Sequence, residues 1–394
     1  MERVAGTSRA VSGERWFQAA SAGKHVTSWA VGGLAEEGRI DLSAPIESYL
    51  PDVPNAWGSR SVRSLATHTS GLPEYLLYQE GEAVPETRSG FFQTYRDLPV
   101  VVGEGASWNY VNTNYILLGF LIAEVTGSPF ADHVGERLRG EGLAGIRVAS
   151  PDTVRARNAT GKWASSTGSV DAVIGDGDIA FTPLGAAAWL EYLLALHGRD
   201  GVMRDLLFAP PAFRSGRPSF YAGGLFVEPF GDDAVIHHAG HYDGWTAMLY
   251  LNAGLGAGAF VLTDQAPRHT RNVRAATQHL LEALCPGSTA LHQHPVGRVN
   301  PELDGIVRRG LIWEAPPSDG SLFAEEMRPT FDGIGVRDLF SLAPGRELRD
   351  MVCIWERRSP SVILRRYRLR WSTGVEHLLT GFTPDGRLFW GWPC

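Results

Sequence analysis

The run Ser21-Ala22-Gly23-Lys24 stands directly ahead of a helical apolar pattern in this 394-residue chain. Val26, Trp29, Ala30, Gly33 and Leu34 recur at helical spacing, and Gly38 ends the run as a C-cap would. The pattern predicts an amphipathic helix with a Ser-x-x-Lys at its start. Residues three apart lie on one helical face, so Lys24 can reach Ser21, and the helix N-terminus adds a positive field. A serine hydroxyl is a poor nucleophile until something takes its proton. Lysine does so only when burial or a nearby cation lowers its pKa. Taken alone, the motif is weak and is better read as a helix-capping serine with a solvated lysine.

The rest of the chain supplies context. Tyr115, Leu118, Phe120, Ile122 and Val125 predict a second long helix stopped at Gly127. Thr182-Pro183 reads as an N-cap with proline at the first helical position, followed by a buried helix from Ala186 to Leu196. Phe220 to Val227, Ala247 to Leu251 and Ala259 to Thr263 read as strands, the last two joined as a hairpin through Asn252 to Gly258. Gly254-x-Gly256-x-Gly258 is therefore a turn, since a phosphate loop needs a following helix. A helix from about Arg271 to Leu284 closes this unit.

Cys285 to Pro301 is rich in Pro, Gly, Ser and His and reads as a linker. Beyond it, Val362 to Trp371 alternates, with Tyr367, Leu369 and Trp371 on one face and Arg366, Arg368 and Arg370 on a face expected to be solvated. A turn at Thr383-Pro384-Asp385-Gly386 leads into an aromatic strand, Leu388 to Trp392. The expected organisation is a catalytic unit over residues 1–285, a linker over 286–301 and a small, mostly β domain over 302–394.

Several motifs occur in order. Phe17 to Lys24 is followed by Gly33-Leu34-Ala35-Glu36-Glu37-Gly38-Arg39-Ile40-Asp41-Leu42, then Tyr49-Leu50-Pro51 and Leu65-Ala66-Thr67-His68-Thr69-Ser70-Gly71-Leu72. Trp108-Asn109-Tyr110-Val111-Asn112 and His238-Ala239-Gly240 come later. This order and spacing resemble the serine β-lactamase and penicillin-binding-protein superfamily, in its class C β-lactamase, DD-carboxypeptidase, esterase and acyltransferase branch. The resemblance runs from about Phe17 to Cys285. It implies an α/β (α+β) fold, an antiparallel sheet flanked by helices with a helical region, beside the mostly β C-terminal domain.

The resemblance also implies roles. Ser21 would be the acylated nucleophile, Lys24 would assist proton removal, and Tyr110 would relay protons. Asn112 would hold the acyl side of a substrate. His238, Ala239 and Gly240 match the third motif, expected on an edge strand lining the site. An oxyanion hole would come from the backbone N–H of Ser21 and of His241 or Tyr242. Each match has a plainer reading: Tyr110 and Asn112 as a turn before the next helix, His68 as structural packing behind the site, Asp176 and Asp178 as a turn. His237, His238 and His241 suggest a metal cluster, but neighbours on a strand point to opposite faces, so no metal and no cofactor is expected.

Some features depart from the pattern. Only 20 residues precede Ser21, where relatives carry strands of the central sheet. A truncated start, a smaller sheet, or edge pairing by C-terminal strands or by a partner copy would each account for this. An uncovered edge invites association, hence an expected homo-oligomer. Val111 replaces a common Ser, and His238-Ala239 replaces Lys-Thr, which weakens a carboxylate anchor.

The formal net charge of -7 argues against a nucleic-acid or anionic-membrane partner. No stretch reaches the ~20 apolar residues of a membrane span. With no apolar signal-peptide core near Met1 and three cysteines in no metal spacing, a cytoplasmic location is expected. The expected activity is serine acyl transfer on an ester, amide or β-lactam. Water as acceptor makes a hydrolase; an amine or alcohol makes a transacylase in small-molecule biosynthesis. A binding homologue without turnover would have lost Ser, Lys or Tyr, and all three are present.

Overall fold

The computed structural model describes residues 12–78, 85, 87–148, 174–242, 244–264, 270–296, 300–312, 322–327 and 347–393. Its elements are β1 (Phe17–Gln18), α1 (Lys24–Glu36), α2 (Asn55–Gly58), α3 (Val62–Ala66), α4 (Arg88–Tyr95), α5 (Asn112–Thr126) and α6 (Phe130–Gly140). Then come β2 (Ile146–Val148), β3 (Ile179–Phe181), α7 (Pro183–His197), α8 (Val202–Phe208), β4 (Phe226–Phe230), β5 (Asp233–Tyr242), β6 (Trp245–Asn252) and β7 (Ala257–Thr263). The chain continues through α9 (Thr270–Leu284), α10 (Pro301–Ile312), β8 (Leu348–Arg358), β9 (Ile363–Trp371), β10 (Gly374–Phe382) and β11 (Leu388–Pro393).

Helix α1 is not amphipathic. Every residue from Lys24 to Leu34 is buried, because α5, α6 and α8 pack around it. Its aromatic anchor is Trp29, fully buried, whose indole N–H donates to Tyr192 Oη at 2.9 Å. Trp189 of α7 stands edge-on to Trp29 and donates to His25 Nε2 at 2.6 Å. Burying apolar side chains of this size contributes roughly 1.5–3 kcal/mol each, so the helix behind Ser21 is anchored by the core itself.

Other helix limits follow local signals. Thr182 caps α7 by accepting from the Gly185 N–H, with Pro183 at the first helical position. Helix α5 ends at Gly127.

The main sheet is an antiparallel meander in the order β4-β5-β6-β7. A small sheet, β1-β3-β2, lies beside it. The strand expected at Phe220 to Val227 begins only at Phe226. Gly224 adopts φ 80° against the backbone of α1, where a Cβ would come within 2.6 Å of His25 Cα, so the chain turns there. Phe220 and Tyr221 are buried instead in an aromatic cluster.

The C-terminal strands do not extend the main sheet. They form their own antiparallel meander, β11-β10-β9-β8. One face of β9 buries Tyr367, Leu369 and Trp371, as the alternation predicts. The opposite stripe is only partly solvated, however. Arg370 is exposed, but Arg366 is 1% exposed and reaches Glu228 (3.4 Å) and the Pro229 carbonyl (2.9 Å) on β4. An arginine enters this interface because a buried carboxylate and a strand carbonyl receive its N–H groups.

Candidate active site

Ser21 sits in a 3-10 turn, Ala20–Gly23, that runs directly into α1. Side chains three apart eclipse in this geometry, so Ser21 and Lys24 face one another. Ala20 takes φ 49°, a left-handed conformation for a residue with a Cβ. Such strain holds only where the surroundings enforce it. Ser21 is half-buried, whereas Lys24 is fully buried.

Lys24 Nζ lies 3.2 Å from Ser21 Oγ and 2.8 Å from Asn112 Oδ1, and also donates to the Asp176 carbonyl. It lies 5.2 Å from the centre of the Tyr110 ring. Burial lowers the Lys24 pKa below its ordinary value, opposed by the nearby charges of Asp176, Glu74 and Asp178. Tyr110 is displaced the other way: burial raises its pKa, and the adjacent Ser21 hydroxyl only partly offsets this. Its hydroxyl oxygen is shielded from solvent and has no well-formed hydrogen bond among the described residues.

The Tyr110 loop is held from behind by His68. The imidazole ring centre is 4.4 Å from that of Tyr110. His68 Nδ1 accepts from Val111 N (3.3 Å) and faces Asn114 Nδ2 (3.1 Å), and its carbonyl accepts from Asn109 N (2.9 Å). His68 is fully buried and its pKa lies well below the usual histidine value, through burial and then the charge of Lys24. It is a wedge under Tyr110, in surroundings that disfavour its charged form.

Asn112 opens α5, one residue after a Val111 that cannot cap. With its Oδ1 turned to Lys24, its amide nitrogen is directed elsewhere.

The third motif lies on β5. This strand is interior overall, which corrects the expected edge strand, but β4 pairs only with Asp233 to His237. His238 to Tyr242 therefore pairs with β6 alone and presents its other side to the Ser21 turn. Gly240 makes this approach possible: a Cβ there would collide with the Ala19 carbonyl and come within 2.8 Å of Ala22 N. His238 is 3% exposed, 3.1 Å from Tyr221 Oη, and its pKa is driven well below 6.5 by burial and then Lys24. His237 points to the opposite face, toward Glu228 at 3.3 Å. His241 is exposed, 3.4 Å from Thr246 Oγ1, and Tyr242 ends the strand opposite Trp245.

The structure thus gathers Ser21, Lys24, Tyr110, Asn112, His238 and Gly240 in one place, whereas Ala239, between the last two on β5, turns its side chain to the Val235, Met248 and Tyr250 cluster on the face that His237 shares. It adds groups that sequence reasoning missed. The Asp176 carbonyl contacts Lys24 from the turn at residues 175–177, a turn the sequence predicts without its role. Glu74 accepts from Asn112 N at 2.5 Å, and its position two residues past the His-Thr-Ser-Gly-Leu stretch carries no signal of its own. Trp108 packs against Trp390 and Trp392 of β11, with ring centres 5.3 and 5.1 Å away, so the C-terminal sheet buttresses the Tyr110 loop.

This arrangement sets a serine hydroxyl beside a buried lysine, an asparagine amide and a tyrosine ring. The Beta-lactamase family model matches residues 2–284, and the chain belongs to that family. It is 26% identical over 223 residues to a D-aminopeptidase of Brucella canis (strain ATCC 23365 / NCTC 10854 / RM-666), covering 53% of this chain. The match spans 42% of that protein, less than half its length.

Among solved structures, a penicillin binding protein from Bacillus halodurans superposes with a TM-score of 0.58 at 20% identity. That superposition covers 69% of this chain and 87% of the other. The D-amino acid amidase from Ochrobactrum anthropi SV3, in complex with L-phenylalanine amide, gives a TM-score of 0.59 at 23% identity, covering 73% and 89%. These structural likenesses establish the β-lactamase-like fold.

Proposed function

We propose that the protein is a serine hydrolase that cleaves an amide, ester or β-lactam through an acyl-enzyme on Ser21. The observation that carries this reading is the donor count at Lys24. A neutral amine has two N–H groups and one lone pair. Two acceptors, Asn112 Oδ1 and the Asp176 carbonyl, engage Nζ, which leaves the lone pair for the Ser21 hydroxyl. Burial lowers the lysine pKa, in the sense required of a base. Tyr110, with its pKa raised, rests as a neutral phenol and serves as a relay rather than a standing phenolate.

In this reading Ser21 Oγ attacks the carbonyl carbon while its proton moves to Lys24 Nζ. Backbone N–H groups at Ser21 and at His241 or Tyr242 hold the developing oxyanion. The proton then passes through Tyr110 Oη to the leaving amine or alkoxide as the carbonyl–leaving-group bond breaks. Water attacks the Ser21 ester, gives up a proton to the same relay, and releases the acid as Oγ is reprotonated. The D-aminopeptidase and D-amino acid amidase relatives support beginning with amides of D-amino acids.

The test is turnover of p-nitrophenyl acetate, D-phenylalanine amide and a chromogenic cephalosporin, with intact-mass detection of a Ser21 adduct. Parent protein should form the adduct and Ser21→Ala should not. Turnover surviving in Ser21→Ala would overturn the assignment. Amide product formed from a dilute added amine would replace hydrolysis with transacylation.

A further inference from the structure

The loop after His68 is laced to the first turn of α5 by side chains. Ser70 Oγ donates to Asn114 Oδ1 at 2.7 Å, Thr113 Oγ1 donates to the Pro73 carbonyl at 2.6 Å, and Tyr75 N donates to Thr113 Oγ1 at 3.1 Å. These are neutral contacts. The remaining member of the lacing is a carboxylate. Glu74, 6% exposed, accepts from Asn112 N through Oε2 at 2.5 Å and from Leu76 N through Oε1 at 3.2 Å.

A carboxylate at this point does two things. It satisfies the Asn112 N–H, one of the backbone donors left without an intrahelical partner at the start of α5, and it complements the positive end of the helix. It also fixes the residue whose side chain holds Lys24, completing a connected series Glu74, Asn112, Lys24, Ser21. We propose that Glu74 is a positioning residue for the acyl-transfer site, clamping the α5 N-terminus so that Asn112 presents its carbonyl oxygen to Lys24 and its amide to substrate. This inference rests on the Ser21 acyl-enzyme reading.

The charge of the clamp reaches Lys24 as well. Burial pushes the Glu74 carboxyl up to about 7, against the lowering influence of the Asn112 and Leu76 N–H groups and of Lys24. The charged and titratable groups around it are Lys24 on α1, Asp176 on the turn before β3, Tyr110 ahead of α5, and Tyr75 beside it in the chain. Ionised Glu74 holds a proton on Lys24. Removing that charge lets Lys24 become neutral at lower pH.

The experiment compares parent, Glu74→Ala and Glu74→Gln by melting temperature and by the pH profile of the acylation burst with p-nitrophenyl acetate. Glu74→Ala loses the clamp and should acylate about tenfold more slowly at pH 8, the scale of one hydrogen bond to a charged group. Glu74→Gln keeps an oxygen for Asn112 N; it should recover most of that rate, with its acidic limb moved to lower pH. A purely structural role would not move the limb. A Glu74→Gln limb that coincides with the parent's, or a folded Glu74→Ala within twofold of the parent, overturns the proposal. Should Glu74→Ala fail to fold, the Glu74→Gln limb decides alone. A parent protein that forms no Ser21 adduct sinks the acyl-enzyme reading instead.

Discussion

Gly240 lies so close to Ala19 that the third-motif strand and the turn carrying Ser21 meet backbone to backbone. No side chain fits between them, and the obstructing atoms, the Ala19 carbonyl and Ala22 N, belong to the main chain and cannot rotate away. The spacing between nucleophile and strand is therefore set at a single glycine.

Gly240→Ala should push β5 and the Ser21 turn apart. A misplacement near 1 Å in a site of this kind costs about 100-fold in rate. Steady-state kinetics with an activated ester should show that loss mainly in kcat. Unchanged kcat with a properly folded variant would mean that the strand does not frame the reaction.

Lys24→Met should remove the base and its hydrogen bonds while keeping the volume of the stem. Loss of a positioned general base corresponds to about 10²–10⁴-fold. Lys24→Arg should not rescue activity, because guanidinium cannot be deprotonated in a protein. Parent activity should rise with pH along a limb lying below the ordinary lysine pKa, since burial lowers it. A limb at or above the ordinary value would refute a neutral Lys24.

The Arg366–Glu228 contact ties the C-terminal sheet to β4 at a site where both side chains are buried. Arg366→Met leaves Glu228 with less compensation, and breaking one side of such a pair costs about 3–5 kcal/mol. Urea titration followed by tryptophan fluorescence should report it. Adding Glu228→Gln should return much of the loss; strictly additive losses would show that the two residues do not act as a pair.

Acid should destabilise the protein through buried neutral histidines. Burial lowers the His25 and His377 pKa values from 6.5 to about 3. Between those limits the unfolded chain binds protons that the folded state refuses. Stability is thus complete above about pH 6.5 and is lost as pH falls, by at most about 1.4 kcal/mol per pH unit for each group. Glu74 acts in the opposite sense: its raised pKa favours the folded state below about pH 4.5, an advantage that disappears as pH rises through 7. His377→Leu removes one group that has no polar partner among the described residues, so the gap between melting temperatures at pH 5 and pH 8 should narrow in this variant. An unchanged gap would exclude His377.

The site was legible wherever its signal is local. Ser21 and Lys24 are three residues apart, and Asn112 starts a helix whose end at Gly127 the sequence also marks. Opposite orientations of His237 and His238 follow from strand geometry alone. The late start of β4 was not legible, because the Phe220 to Val227 run is apolar throughout and only the approach of α1 at Gly224 divides it. The burial of Arg366 was not legible either, since its alternation with Arg368 and Arg370 is that of a solvated face and only Glu228, 138 residues away, makes the difference.

Sequence alone determined the chemical parts, their order, and several of the helices and strands around them, such as α5 and α7, since propensity, capping and periodicity act over a few residues. Tertiary structure decided the burial that shifts the titratable groups and the contacts they make. Lys24 is a candidate base because α5, the 175–177 turn and the core close around it, and desolvation depends on neighbours far away in the chain. Glu74 joins the site for the same reason: burial and a backbone donor 38 residues on give it a role that no local pattern encodes.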